Sequence, residues 1–313
     1  MHLAPLAISL RQIQYLVAVA ERRSFQAAAR DCHVSQPALS AAVAQAEHAL
    51  GVRIFDRDRH GVRLTLAGES FVAAGLDVLT RAQQLVSGAT RFGDPLSGRL
   101  RVGLIPTVGP YLLPIVAPAL RAQFPRLGLV WSEDKTALLL AQMDRGEIDA
   151  AVVALDDEVA KRPHAVLGLD PFVLAVPRTH ALATESANGA LTIDRLAGES
   201  LLLLDEGHCL RGHVLAVCAQ TRTSDAGYRG TSLSTLVQMV AGGFGVTLLP
   251  ALTLDVENRG GILVCSPFAA GGPARTLLLV WRGDVALAAT ASAVAEVITA
   301  AWERAKTEPA LNA

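Results

Sequence analysis

The chain has 313 residues, 51% of them hydrophobic and 18% charged, with a net charge of −1. That is apolar material for about two globular domains and excludes a disordered or fibrous chain. There is no run of eighteen apolar residues and no basic segment leading into an apolar stretch and a cleavage site, so the pattern predicts no membrane span, no secretory signal and a cytoplasmic location. The four cysteines, Cys32, Cys209, Cys218 and Cys265, are too few and too scattered for a secreted disulfide framework; in a reducing compartment a bonding pair would be transient. The net charge hides an asymmetry. Residues 1–65 carry eight arginines against five acidic residues, a balance of +3, which leaves −4 for the remainder. The front of the chain is the part suited to polyanions.

Residues 10–22 place apolar side chains at 10, 13, 16, 17 and 20, the period of an amphipathic helix. Ser24 is positioned to cap a second short helix, FQAAARDC, whose alanines permit close packing. Ser35 is positioned to cap a third, with Pro37 in its first turn, Leu39, Val43, Ala46 and Leu50 as the buried stripe, and Gly51 as the stop. This is a helix-turn-helix pattern. Gln36, Ala38 and Ser40 lie near the N-terminal end of its second helix, the end that reaches base edges in the major groove. Residues 52–66 alternate about His60-Gly61 and carry Arg53, Arg57, Arg59 and Arg63, as a wing hairpin gripping phosphate would. The same residues also fit a helical bundle with a solvated arginine face.

Residues 65–92 repeat apolar positions along a long helix with an exposed seam, and the stretch 93–98 (GDPLSG) breaks it as a hinge. From Leu100 the pattern becomes α/β. LRVGLI, LGLVW, IDAAVVAL, FVLAVP, SLLLL, GVTLLP, ILVC and TLLLVW read as buried strands, separated by helices such as 110–124 and 232–241.

Residues 201–218, LLLLDEGHCLRGHVLAVC, stand apart. A strand runs into the turn Asp205-Glu206-Gly207, beyond which Leu210, Val214 and Val217 mark one helical face. Cys209 falls in the first helical turn, beside His208 and near Arg211, where unpaired N–H groups and the helix dipole favour a thiolate. Cys218 is nine residues on. A rise of about 1.5 Å per residue separates the two Cα atoms by roughly 13 to 14 Å, whereas a disulfide needs about 4.4 to 6.8 Å. The two thiols can bond only if the helix melts. Inert packing of both cysteines is the competing reading, and a zinc site through His208, Cys209 and His213 lacks the usual ligand spacing.

Residues 10–70 resemble the winged DNA-binding domain of LysR-type transcriptional regulators. The motif residues are Phe25, Ala28 and Ala29, then 35–40 (SQPALS), Leu50-Gly51, Phe55-Asp56-Arg57 and Leu64-Thr65 with Gly68. The resemblance implies DNA contacts from Ser24, Ser35, Gln36, Pro37, Ala38, Ser40, Arg53, Arg57, Arg63 and Thr65. Ala41 and Ala42 stand where the family often has a larger or basic residue, which puts the target sequence in question. The family also implies a winged helix-turn-helix domain (1–65), a linker helix and hinge (66–98) that pairs two chains, and an effector domain (99–313). That last domain would hold two Rossmann-like subdomains of the periplasmic-binding-protein type, about 99–165 with 270–313 and about 166–269. Implied partners are double-stranded promoter DNA, RNA polymerase and further copies of the chain, as dimer or tetramer; no membrane, metal or cofactor is implied, and no enzymatic activity.

Within that family, residues 103–114 (GLIPTVGPYLLP), 205–211 (DEGHCLR), Cys218 and 245–252 (GVTLLPAL) resemble the peroxide-sensing activators. The match implies that hydrogen peroxide oxidises Cys209 to a sulfenic acid that Cys218 resolves. Thr107, Thr136, His208, Leu210, Arg211 and Arg275 would form the pocket. On the residues alone Thr136 is a helix N-cap and Arg275 a surface charge, while Cys32 and Cys265 pack. Two other functions compete: a LysR-type regulator reading a metabolite in the cleft through Thr107, Thr136 and Ser232, and a thiol peroxidase or Cys/His hydrolase.

Overall fold

A computed structural model describes residues 5–58, 61–186, 190–207, 209–220, 223–230 and 232–307. The chain divides into two compact units, Met1–Ser87 and Gly88–Ala313.

In the first unit Ser9 and Gln12 form a capping box that starts α1 (Leu10–Arg22). Its buried face is Ile13, Tyr15, Leu16, Val17 and Val19; Leu10 is exposed, so the stripe is shifted from the sequence expectation. The Ser24 hydroxyl accepts from Ala27 N to start α2 (Phe25–Asp31), and Ser35 accepts from Ala38 N to start α3 (Gln36–Leu50). Gly51 ends α3 at φ +70°, a left-handed position that costs a side chain-bearing residue but not glycine. The wing is β1 (Phe55–Asp58) paired antiparallel with β2 (Gly61–Leu64), and its tip at 59–60 is outside the described residues. Glu47 fastens the wing to α3, its Oε1 accepting from Ile54 N at 2.7 Å and Phe55 N at 3.0 Å. After the wing comes α4 (Leu66–Gly93). Along it Leu66, Leu76, Val78, Leu85 and Val86 are exposed, which is the seam read from the sequence.

The stretch that follows α4 makes its contacts within the second unit. Asp94 pairs with Arg126 at 2.9 Å, and the Thr290 hydroxyl donates to Pro95 O at 2.6 Å.

The second unit holds two hydrophobic cores. The first lies around β3 (Gly98–Leu104), β4 (Leu127–Glu133) and β5 (Ala150–Ala154), with β3 parallel to both, covered by α5 (Gly109–Gln123) and α6 (Thr136–Arg145). A short 3₁₀ turn then leads to β6 (His164–Pro177), which crosses to the second core. There α7 (Ala181–Ser186) precedes β7 (Ser200–Leu204), which pairs in parallel with β8 (Ser224–Gly230) across α8 (Cys209–Gln220). Next come α9 (Leu233–Ala241), β9 (Thr247–Pro250) and α10 (Leu254–Glu257), then β10 (Leu263–Pro267), which pairs antiparallel with β6 as β9 does. The chain returns through β11 (Ala274–Trp281), which lies between β5 and β6. It finishes in α11 (Val285–Thr307). Thus β6 and the β10-to-β11 connection cross between the cores. All eight strands read from the sequence are present, and β8 is an addition.

Side-chain hydrogen bonds also join elements around the two cores. The Tyr111 hydroxyl on α5 donates to Glu257 Oε1 on α10 at 2.6 Å, and Ser234 shares that oxygen at 3.0 Å. Burial, with the Glu257 contact second, pushes the Tyr111 hydroxyl far above the usual phenol value. On the other side of the cleft Lys135 Nζ donates to Glu206 O at 2.8 Å. Among the described residues α11 is the one helix long and apolar enough to cross a membrane. Its apolar face, with Leu287, Val294, Ile298 and Trp302 buried, packs on α5, β6 and β11 as a core helix would.

Gly68 shows why one family-type glycine is needed. A Cβ there would sit 2.1 Å from Ile54 O, a backbone atom that cannot swing away. Gly68→Ala should therefore destabilise the first unit by about 1–3 kcal/mol, read as an earlier urea transition. Gly88→Ala on the same helix, where nothing lies within 4 Å, should be neutral or stabilising by about 0.5–1 kcal/mol.

Candidate functional site

The candidate DNA-contacting residues lie around α3 and the wing, with Ser24 before α2. Gln36, Pro37 and Ala38 are exposed at the start of α3, Ser40 is partly exposed, and Leu39, Val43 and Ala46 beneath them are buried. Arg53 and Arg63 are exposed on the wing; the Arg57 side chain is outside the described residues. Three hydroxyls carry structural duties. Ser24 and Ser35 accept helix amides, and Thr65 donates to Arg53 O at 2.7 Å while accepting from Gly68 N at 2.9 Å. Thr65 thus ties the wing to α4.

The thiol site lies in the second unit. β7 buries Leu201, Leu202, Leu203 and Leu204, and the turn through Asp205 and Glu206 ends at Gly207, φ +84°. α8 then begins at Cys209, with Leu210, Val214 and Val217 buried at the expected spacing. Helix continues through Cys218 to Gln220, so the two cysteines occupy one helix with its roughly 1.5 Å rise per residue. Cys209 carries no disulfide. His208 and the Cys218 side chain are outside the described residues.

Arg275 lies close enough to Cys209 to favour its thiolate, as the family resemblance implies. In place of a surface charge, it is 1% exposed on β11. Its Nε donates to Asp170 Oδ2 at 2.9 Å, Nη1 to Thr107 Oγ1 at 2.7 Å and Nη2 to Thr107 O at 2.9 Å. A guanidinium can be buried only with such partners, and the fork geometry supplies them. The Asp170 carboxylate is shared, with Oδ1 accepting from Leu252 N at 3.0 Å. This network ties the β3–α5 turn, the crossover strand β6 and β11 together beneath Cys209.

Thr136 is not the N-cap read from the sequence. Lys135 occupies that position without a side-chain cap, and Thr136 is the first helical residue of α6. Its hydroxyl is buried and has no hydrogen bond of ordinary geometry, yet it lies against the Cys209 sulfur and favours the thiolate. Ile105, Pro106, Thr107, Lys135, Thr136, Gly207 and Cys209 close around a narrow gap with no room for a water molecule. On its other side Cys209 opens to a groove of about 720 Å³ between α6 and α8, whose walls include Leu140, Ala141, Gly212 and His213.

The helix start favours the Cys209 thiolate through the Leu210 N–H, as its sequence position suggests, but it is outweighed. Burial is the largest influence and pushes the Cys209 thiol up; Arg275 and then the Thr136 hydroxyl and Leu210 N–H oppose it. Arg211 instead reaches Leu204 O at 3.4 Å. His213 Nδ1 lies 2.8 Å from Cys209 O. Among the described residues no cluster of His, Cys, Asp or Glu could hold a metal. Cys265, beside Asn258 Nδ2, is pushed up to about 11 by burial, and the Cys32 thiol is also raised, burial leading. The cleft between the cores is separate, about 580 Å³, and includes Thr107, Lys135 and Ser232 but not Thr136 or Cys209.

Two outcomes follow from these energetics. Alkylation of Cys209 by iodoacetamide, followed by peptide mass, should keep rising with pH beyond the midpoint of a free thiol, about 8.5, because burial disfavours the anion. Thr136→Val removes a group that holds the anion and should move the midpoint higher; a midpoint below that of a free thiol would contradict the balance. Arg275→Met strands the Asp170 carboxylate in the core and should cost about 3–5 kcal/mol in unfolding experiments.

Residues 10–69 match the family described as bacterial regulatory helix-turn-helix protein, lysR family, and residues 93–303 match the LysR substrate binding domain. The chain is 40% identical over 294 residues to the Escherichia coli K12 protein named DNA-binding transcriptional dual regulator OxyR, covering 94% of this chain and 95% of that one. Among solved structures it resembles a full-length OxyR variant from Pseudomonas aeruginosa (TM-score 0.67, 35% identity, 93% of this chain and 98% of that one). It also resembles a hydrogen peroxide-bound OxyR mutant from Corynebacterium glutamicum (TM-score 0.66, 30% identity, 96% and 94%). With both matched domains in family order and relatives at this identity over nearly the whole length, the chain belongs to the LysR family of bacterial transcriptional regulators, in its OxyR group.

Proposed function

We propose that this protein is a promoter-binding transcriptional activator of oxidative-stress defence genes, switched by hydrogen peroxide through Cys209 and Cys218. The observation that carries the chemistry is a half-buried thiol at the first residue of a helix, beside an unpartnered buried hydroxyl and above a buried arginine. The Cys209 thiolate attacks one peroxide oxygen: the S–O bond forms, the O–O bond breaks, and the departing oxygen leaves as water after taking a proton. Sulfur loses two electrons and peroxide gains them. The Cys218 thiol then displaces the sulfenic oxygen as a second water, giving the disulfide.

Burial raises the Cys209 thiol while Arg275 and Thr136 favour its anion, and positioning of the peroxide against the sulfur adds to the rate. The Thr136 hydroxyl has a hydrogen bond to give and faces the sulfur, and the Thr107 hydroxyl, held by Arg275, belongs to the same side-chain cluster around Cys209. Such donors suit the oxygen that acquires charge as the O–O bond breaks. The groove beside α8 supplies an approach for a small oxidant. A metabolite regulator would use the cleft of Thr107 and Ser232, but it gives Cys209 and Thr136 no task.

The DNA reading rests on the exposed start of α3 and the arginines of the wing, and pairing of chains rests on the exposed seam of α4. Assembly to a dimer or tetramer, contact with RNA polymerase and a cytoplasmic site of action complete the proposal.

Two experiments test it. With dilute peroxide the wild-type protein should lose two thiols and change its promoter footprint. Cys209→Ser should do neither, and Cys218→Ser should accumulate a dimedone-trappable sulfenic acid; peroxide consumption that is unchanged in Cys209→Ser would end the reading. On DNA, Gln36→Ala should weaken specific binding by about 1–3 kcal/mol and relax base choice, whereas Arg53→Ala should weaken all sequences alike and reduce the salt slope. Equal loss on specific and random DNA for Gln36→Ala would remove α3 as the reading helix.

A further inference from the structure

Lys135 has no part in the chemistry above, yet it reaches the sensing loop from the opposite core. Its backbone caps the start of α6, with its N–H donating to Asp134 Oδ1 at 2.9 Å. Its side chain leaves that helix and spans the cleft to donate to Glu206 O at 2.8 Å. Glu206 lies three residues before Cys209, in the turn joining β7 to α8. The stem lies flat on the turn: a Cβ at Gly207 would meet Lys135 Cδ at 3.0 Å and Nζ at 3.3 Å. Lys135 and Gly207 belong to the same close cluster as Cys209 and Thr136.

The turn is anchored from its own core by Asp205 N donating to Gly230 O at 2.8 Å. Beyond that point Lys135 is the grip on it from the α6 side, where Thr136 meets the thiol. Disulfide formation requires α8 to unwind between the two cysteines, which the helix holds roughly 13 to 14 Å apart. Where it unwinds from its first turn, Cys209 moves with the Glu206–Gly207 turn, and the Lys135 bond to Glu206 O resists that movement.

We propose that Lys135 is a positioning residue that clamps the Glu206–Gly207 turn in the reduced form, holding Cys209 against Thr136 and setting the rate at which the turn releases for disulfide closure. The inference rests on the thiol-switch reading. It assigns Lys135 to the second step, in which the Cys209 sulfenic acid condenses with the Cys218 thiol and releases water. Attack on peroxide occurs with the clamp closed and does not need its release.

The test is rapid acid quench of the full-length reduced protein after peroxide addition, with alkylation and mass spectrometry to follow thiol, sulfenic acid and disulfide separately. Lys135→Met keeps the stem and loses the donor, and Lys135→Arg keeps a donor. Closure of the sulfenic acid to the disulfide should be about tenfold faster in Lys135→Met, the factor given by 1.4 kcal/mol, with consumption of the Cys209 thiol changed by less than about twofold. Lys135→Arg should close near the wild-type rate. Diamide, which oxidises dithiols without a peroxide pocket, should show the same acceleration. Lys135→Gln serves as the second variant if Lys135→Met does not fold. Wild-type closure rates in Lys135→Met with both oxidants, or equal acceleration in Lys135→Arg, overturn the clamp. A wild-type protein inert to peroxide, with diamide closure still accelerated by Lys135→Met, overturns the peroxide reading and leaves the clamp standing.

Discussion

A continuous helix from Cys209 to Gln220 and a disulfide between Cys209 and Cys218 cannot coexist, because the helical rise holds the two residues at about twice a disulfide's reach. The account of the effector domain depends on this incompatibility. A bond that formed without backbone change would report oxidation to nothing else in the molecule. One that requires the β7–α8 turn to leave its place couples a two-electron chemical event to the packing of a whole helix. The apolar face of Leu210, Val214 and Val217 must be disturbed or repacked when the first turn is lost.

Beneath that movable segment is a fixed one. Arg275, Asp170 and Thr107 form a buried ionic network that links the first core, the crossover strand and the return strand. Buried ion pairs gain little net stability but are costly to break singly, so they hold geometry well. The reduced site thus combines a rigid floor with a loop that is held by a Lys135 hydrogen bond and carries a left-handed glycine. Its thiol is raised by burial and countered by Arg275 and Thr136.

The local parts of this arrangement are legible in the sequence because they rest on local physics. Ser24, Ser35, Pro37 and Gly51 are capping chemistry, and each sits at the helix end its type favours. The start of α8 and its buried stripe follow from a glycine turn and a three-to-four spacing. Less local features were not legible. β8 (SDAGYRG) has no apolar run, since parallel pairing with β7 defines it. Arg275 reads as a surface charge because its partners are 105 and 168 residues away along the chain. Thr136 reads as a cap because its type and place suit one, whereas the chain enters α6 one residue earlier, at Lys135. The Tyr111–Glu257 link and the Lys135–Glu206 clamp are likewise contacts between cores, with no trace in either local pattern.

The most direct measurement is amide hydrogen exchange over residues 200–220 of the full-length protein, reduced and peroxide-treated, with the disulfide verified by mass in the same samples. Protection of the first turns of α8 should be present in the reduced protein and lost on oxidation. A confirmed Cys209–Cys218 disulfide with α8 protection unchanged would contradict the account.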